Sequence, residues 1–577
     1  MKTFVEKVNL FYRKAYDKFP HIEPILVISL SMLLVLGIIL SIKGISTDDN
    51  TTFTNNVAED LFYKAEYDKA VEEYKNLQKE EDWPIWNVKI AEIYSIKGEY
   101  ERSNTLLKES IVKRDRIIKE KGIEKYKEKD VELINEVVFT FLMNNEKEEA
   151  LGLGESHLHD YLNNKQMIKT MVAVYIANNK VDKAEKLIND YLINNTTAFD
   201  YALASEMYMS MGKVTKGIDI LKKAWDLDKN ELEIYNAMSQ IQEIDKKNLL
   251  DKLNLLSKEN LNEDFYKVFM AEIYSTDKDS IIKAEKILDD LNDKENINVR
   301  LLEIEIYNKA NRDKEAEEII KEIVNQDKDS YLAKNLLAWD ALWKKDYDSA
   351  LDFAKKCIVK NSNCARAYGV LVPQILVEKG DTKIAEPFFR TAIKKEPFNY
   401  NMINKLGEYY GRKAIDIEKA KKVYNLVMNI GRDDSEAFYN LSKLYMIDKK
   451  PKEAIKNAKE AIKNNEDVSK YYRLLGALYL EQGLYEDGIE ETRTAYLINE
   501  NDILALNNAA CYYFAITGEI ERGMENMKEA YDSLSKISDL DVKKALTENY
   551  NKAKSIYDNY QNGKESYIRI ADFTLFY

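Results

Sequence analysis

YRLLGALYLEQGLYEDGIEETRTAYLINE, Tyr472 to Glu500, carries the periodicity that decides the fold. Tyr472, Leu475, Gly476 and Tyr479 fall at i, i+3, i+4 and i+7, so they share one face of a helix. Gly483 interrupts, and Gly488, Ile489, Thr492 and Ala495 then resume the spacing on a second helix. The unit is a helical hairpin. Its facing positions are small (Gly476, Gly488, Ala495), which lets two helices approach closely while tyrosines fill the remaining gaps.

The frame Tyr472-x2-Leu475-Gly476-x2-Tyr479, followed by Gly483, Tyr485, Gly488 and Ala495, resembles the tetratricopeptide repeat (TPR). The preceding unit repeats it in FYNLSKLY with Ala454, Ala458 and Ala461, and the following one in LNNAACYY with Gly523, Met527 and Ala530. With the small residue of the second helix as a marker, the pattern runs through Ala70, Ser103, Ala150, Ala184, Gly217, Leu250, Ala284, Ala316, Ala350, Ala385, Ala420, Ala454, Gly488 and Gly523. The mean step is about 35 residues, against about 34 for the repeat. Leu250 is the poorest marker, and Ser103 to Ala150 is an overlong step in which IVKRDRIIKEKGIEKYKEKD adds a helix extension or a long loop.

The expected fold is therefore an all-α α-solenoid, by the resemblance a right-handed superhelix of about fourteen TPR-like hairpins, with one N-terminal transmembrane helix. Residues 57–535 form the solenoid, 536–562 a polar-faced capping helix and 563–577 an apolar tail. Only 7 prolines and 19 glycines in 577 residues leave few interior helix breakers, and 45% hydrophobic with 32% charged residues suits amphipathic helices rather than disorder. A solenoid grows by stacking, so the length needs no division into several cores.

Ile25 to Ile42, ILVISLSMLLVLGIILSI, is free of charge and long enough to cross a bilayer, so 23–43 is expected to be an uncleaved membrane helix. Lys2, Lys7, Arg13, Lys14 and Lys18 precede it and only Lys43 follows closely, which places the N-terminus inside and the repeats outside the cytoplasmic membrane. Residues 1–22, with Phe4, Val8, Phe11, Ala15 and Phe19 on one stripe, form a short amphipathic cytoplasmic segment; 44–56 is a polar linker.

Chemistry is sparse. His157 and His159 point apart on a helix, and Glu155 with His159 would converge better, yet a solvated face is the expected outcome. Cys357 and Cys511 read as buried inert thiols, and a Cys357–Cys364 disulfide is conceivable. No phosphate loop, HExxH, GxSxG or metal-spaced Cys/His cluster is present, so no enzyme, cofactor, metal or small-molecule substrate is expected. A net charge of −14 offers no electrostatic case for nucleic acid, and the cationic run Lys113–Lys129, interleaved with acids, reads as a solvated helix.

In TPR proteins the A helices line a concave groove that receives an extended peptide or a partner helix. The resemblance puts Asn440, Lys443, Arg473, Ala477, Asn507 and Asn508 on that groove, where amide side chains can pair with both N–H and C=O of a peptide. Leu474 is expected beside them in place of a polar groove residue. The tail ending Phe573-Thr574-Leu575-Phe576-Tyr577 is β-prone and apolar, so it is expected to dock on the last repeats or to serve assembly. The expected function is a membrane-anchored scaffold binding protein or peptide partners at the cell envelope. The alternatives are a regulatory or secretion-system component relaying binding across the membrane, and an accessory subunit of an envelope enzyme.

Overall fold

The computed structural model describes residues 56–577 apart from 242–245, 261–262, 277–279, 432–434, 538 and 565–566. The expected segments 1–22 and 23–43, and the linker up to residue 55, lie outside the described residues. Among the described residues no helix is long and apolar enough to cross a membrane. What they form is all-α: fourteen helical hairpins in series, followed by the capping helix Leu540–Gln561.

One local rule builds the hairpins. In twelve of the fourteen units the residue five positions before the marker adopts positive φ: Ala65, Gly98, Asn145, Asn179, Gly212, Asn311, Lys345, Gly380, Ile415, Lys449, Gly483 and Gly518. The counterparts in the other two, residues 245 and 279, are not described. This left-handed residue stops helix A, and the next N–H turns back to the last turn of that helix, as from Leu484 to the Tyr479 carbonyl at 2.9 Å and from Lys450 to that of Tyr445 at 2.8 Å. Of the markers, thirteen are buried; Leu250 is only half-buried, and Leu249 and Leu253 fill the interior in its place.

The small interface residues act as the periodicity implies. A Cβ on Gly476 would lie 2.9 Å from the Gly488 carbonyl oxygen and 3.0 Å from the Thr492 nitrogen, so the Ser469–Glu481 and Tyr485–Ile498 helices meet backbone to backbone. Two other units put serine at the same register, where Ser205 and Ser442 donate to the carbonyls of Gly217 and Ala454, each at 2.8 Å.

The overlong step is helix extension: Tyr100–Lys121 and Lys127–Met143 are both elongated. Their added turns are not simply a solvated face, which corrects that expectation. Arg114 is buried and donates from Nε and Nη2 to the fully buried carboxylate of Asp130, at 2.7 and 2.5 Å, while Tyr126 stacks on Trp83.

The superhelix turns far enough for distant units to meet. Helix Glu386–Lys395 lies against the inner side of the first four hairpins: Tyr67 donates to Glu386 at 2.7 Å, Arg390 to the Ser95 hydroxyl at 3.0 Å, and Gln166 to the Lys394 carbonyl. The Tyr63 and Phe388 rings lie 4.9 Å apart. Half-buried in this seam, Lys394 bridges Glu92 at 3.4 Å and Glu136 at 3.1 Å, and Lys89 reaches Glu136 at 3.2 Å. Burial pushes the Glu136 carboxyl up, yet Lys394 and Lys89 outweigh it and hold it down at about 2. The N-terminal stretch of the concave face is thus filled by the protein itself.

Candidate functional site

At the other end of the solenoid the concave face holds the tail. Residues Phe573–Tyr577 run through the groove as an extended segment, Phe573 having φ −112° and ψ 155°. Two asparagines grip alternate residues. Asn508 donates from Nδ2 to the Phe576 carbonyl at 2.8 Å and accepts the Phe576 N–H on Oδ1 at 2.9 Å. Asn549 does the same for Thr574, at 2.7 and 2.9 Å. Asn507 adds a bond to the Thr574 carbonyl at 3.1 Å and accepts from Asn549 at 2.8 Å. Each side-chain amide presents an N–H donor and a C=O acceptor that match the C=O and N–H of one extended residue, so the backbone is held whatever its side chains.

Side-chain pockets supply the apolar contacts. Phe573 and Leu575 are buried with Ala477, Leu480, Ala509 and Ala510, the Phe573 ring 5.8 Å from Phe514 and nearly parallel to it. Phe576 is buried with Ile503, Leu506, Ala530 and Leu546, the last from the capping helix. The Tyr577 hydroxyl donates to Glu481, and its carbonyl accepts from Arg473 Nη2 at 3.4 Å. Arg473 is itself fixed by an ion pair with Asp502, which also accepts from Ser469.

The six residues expected on the groove divide at this point. Arg473, Asn507 and Asn508 touch the tail backbone, and Ala477 is buried beneath Phe573 and Leu575. Asn440 and Lys443 stand one hairpin upstream, beyond Tyr577. The buried Asn440 amide nitrogen makes no hydrogen bond, and Lys443 lies over the Tyr439 ring at 5.1 Å. Burial, then the neighbouring Arg412, pushes the Lys443 ammonium down to about 8, with Lys470 and Arg473 adding to the local positive charge. Leu474, expected on the groove, is instead fully buried with Ala458 and Ala461 of the preceding hairpin, so it does not obstruct it. Asn549 stands on the capping helix, outside the repeat frame, so no repeat spacing marks it.

The middle of the solenoid contains two further cavities. One of about 290 Å³ is walled by Tyr235, Leu301, Tyr331, Trp339 and Trp343; a neighbouring one of about 430 Å³ has the charged side chains Lys169, Glu233, Arg366 and Glu396 among its walls. The other sequence candidates are occupied or inert. Glu155 pairs with Lys183 rather than converging with His159, whose side chain is 95% exposed. Cys357 and Cys364 are free thiols that flank Tyr331, and burial holds Cys357 up at about 12.

Serial helical hairpins of this length, closed by small residues at fixed register around a concave face, form a solenoid of the TPR type, and the similarity to known proteins supports a place in the tetratricopeptide repeat family. One curated relative is the TPR repeat-containing protein YpiA of Bacillus subtilis (strain 168), 24% identical over 409 residues that span 63% of this chain and 90% of the relative. No protein-family model matches the chain. Among solved structures, the APC/C hetero-tetramer Cut9–Hcn1 aligns over 86% of this chain and 95% of its own at 12% identity and a TM-score of 0.37. YrrB, described as a TPR protein with an unusual peptide-binding site, aligns over 31% of this chain and 91% of its own at 19% identity and a TM-score of 0.25.

Proposed function

We propose that this protein is an interaction scaffold whose C-terminal hairpins bind an extended, apolar peptide segment of a partner protein, and that its own tail is a stand-in for that segment. The observation that carries the reading is the paired bonding of Asn508 to Phe576 and of Asn549 to Thr574, which recognises two alternate peptide units of an extended chain. A partner would present a short aromatic and aliphatic alternation in place of Phe573, Leu575 and Phe576. Burying three such side chains contributes roughly 6 kcal/mol, and ordering the five residues costs roughly as much. A tail so balanced is displaceable, whereas a groove wall is not.

The test uses a fluorescent peptide of sequence ADFTLFY, matching Ala571–Tyr577. The protein lacking residues 573–577 should bind it saturably, and Asn508→Ala in that background should weaken binding tenfold or more, while the intact chain binds poorly. If the shortened protein ignores the peptide, or Asn508→Ala binds it unchanged, the groove reading fails.

The proposal extends to placement. The uncharged run Ile25–Ile42, with cations concentrated before it, supports a single membrane anchor with the solenoid on the extracytoplasmic side, where it would organise envelope proteins. Protease added to intact cells should then degrade the solenoid; protection until lysis would refute this placement.

A further inference from the structure

The superhelical closure brings two glutamates of consecutive hairpins and a third from a distant one to one point. Glu206 comes from helix Ala198–Ser210, Glu233 from helix Leu232–Ile241, and Glu396 follows helix Glu386–Lys395. One carboxylate oxygen from each lies within 4.8 Å of the others. A second observation is independent of that proximity: Glu206 is 2% exposed, and neither of its carboxylate oxygens accepts a hydrogen bond. A buried carboxylate without a donor costs free energy that a ligand would recover. Its companions are positioned, Glu233 by the Asn236 amide at 2.9 Å and Glu396 by the Asn399 amide at 3.0 Å.

We infer that Glu206, Glu233 and Glu396 form a binding site for one divalent, oxygen-preferring cation of the calcium class, which ties the 198–241 arc to the 386–396 arc of the solenoid. Oxygens held within 4.8 Å of one another can share an ion at the 2.3–2.6 Å distance that calcium takes from carboxylates. The donor set is hard oxygen throughout, which disfavours the softer metals. Glu233 and Glu396 also line the cavity of about 430 Å³, which leaves space for the waters that would complete the shell. Lys165, Lys169, Glu231 and Arg366 line the same cavity, and Arg366 is turned to the Ser239 hydroxyl rather than into an ion pair with Glu206. Without an ion the three acids repel: burial, then Glu396, holds Glu233 up at about 7, and burial with its two neighbours raises Glu206 as well.

The site is distinct from the tail groove. Calorimetric titration of the chelator-treated full chain with CaCl2 at pH 7.5 should show one ion per chain. Saturation should raise the melting temperature by several degrees and slow hydrogen exchange in 198–210 and 386–396. Glu206→Gln and Glu233→Gln remove mutual repulsion, so each should fold with unchanged circular dichroism, yet each should weaken Ca2+ at least tenfold. Absence of saturable binding, equal binding by both variants, or the same response to K+ at equal ionic strength would overturn the site. So would saturation by a lysine-bearing peptide with none by Ca2+, since the pocket would then hold a side-chain cation.

Discussion

Replacing Glu136 by glutamine removes a charge from the seam that closes the superhelix while keeping the side chain's volume. Glu136 is 6% exposed and faces the ammonium groups of Lys394 at 3.1 Å and Lys89 at 3.2 Å. Its carboxyl is held at about 2 against an ordinary value of 4.5. At 1.36 kcal/mol per unit, that difference is on the order of 3 kcal/mol of folded-state stability at neutral pH. A depressed carboxyl stabilises above its unfolded value and loses that contribution as pH falls through its folded value. The deficit of Glu136→Gln should therefore be full at pH 7 and shrink between about pH 4.5 and 2. Repeat arrays need not unfold in one step. The assay is accordingly urea unfolding combined with hydrogen exchange in the Lys127–Met143 and Glu386–Lys395 helices, with the radius of gyration from X-ray scattering. Lys394→Met should weaken the same seam, and the double variant should cost less than the sum because the two groups share one contact. Wild-type stability at pH 7, or a deficit of equal size at pH 7 and pH 3, would refute the reasoning.

Three further changes are expected to separate local from tertiary effects. Ile415 is 74% exposed with φ 53°, a conformation β-branched residues resist, so Ile415→Gly should stabilise its hairpin by about 1 kcal/mol in urea unfolding. Gly476→Ala drives a methyl against the backbone of the facing helix and should cost about 2–3 kcal/mol, read as a lower first unfolding transition. In the intact chain, Asn508→Ala removes both bonds to Phe576, and deuterium uptake at residues 573–577 should rise several-fold while the hairpins upstream of Arg473 exchange as before.

Much of the architecture was legible because its causes are local. The turn residue, the small marker five positions later and the apolar stripe between them act within one hairpin, and every unit repeats them. That is why Gly483, Gly488 and Gly476 could be placed from spacing alone. Asn507 and Asn508 lie where the resemblance puts the groove face of helix A, and both bond the chain's own tail. Leu474 was misplaced because register separates outward from inward residues but does not say how far the preceding hairpin covers them. Asn549 stood outside any frame.

The sequence by itself determined the hairpin, its period, the number of units and the faces that must be covered, because helix periodicity and close packing of small residues depend on neighbours a few tens of residues apart. Only the tertiary structure decided which parts of the concave face stay open. A small rotation accumulated over many repeats brought Lys394 between Glu92 and Glu136 and gathered Glu206, Glu233 and Glu396 at one point. It also let the apolar tail fold back into a groove built from repeats already made. Such juxtapositions depend on the summed geometry of the superhelix, to which every hairpin contributes a little and which no single motif encodes.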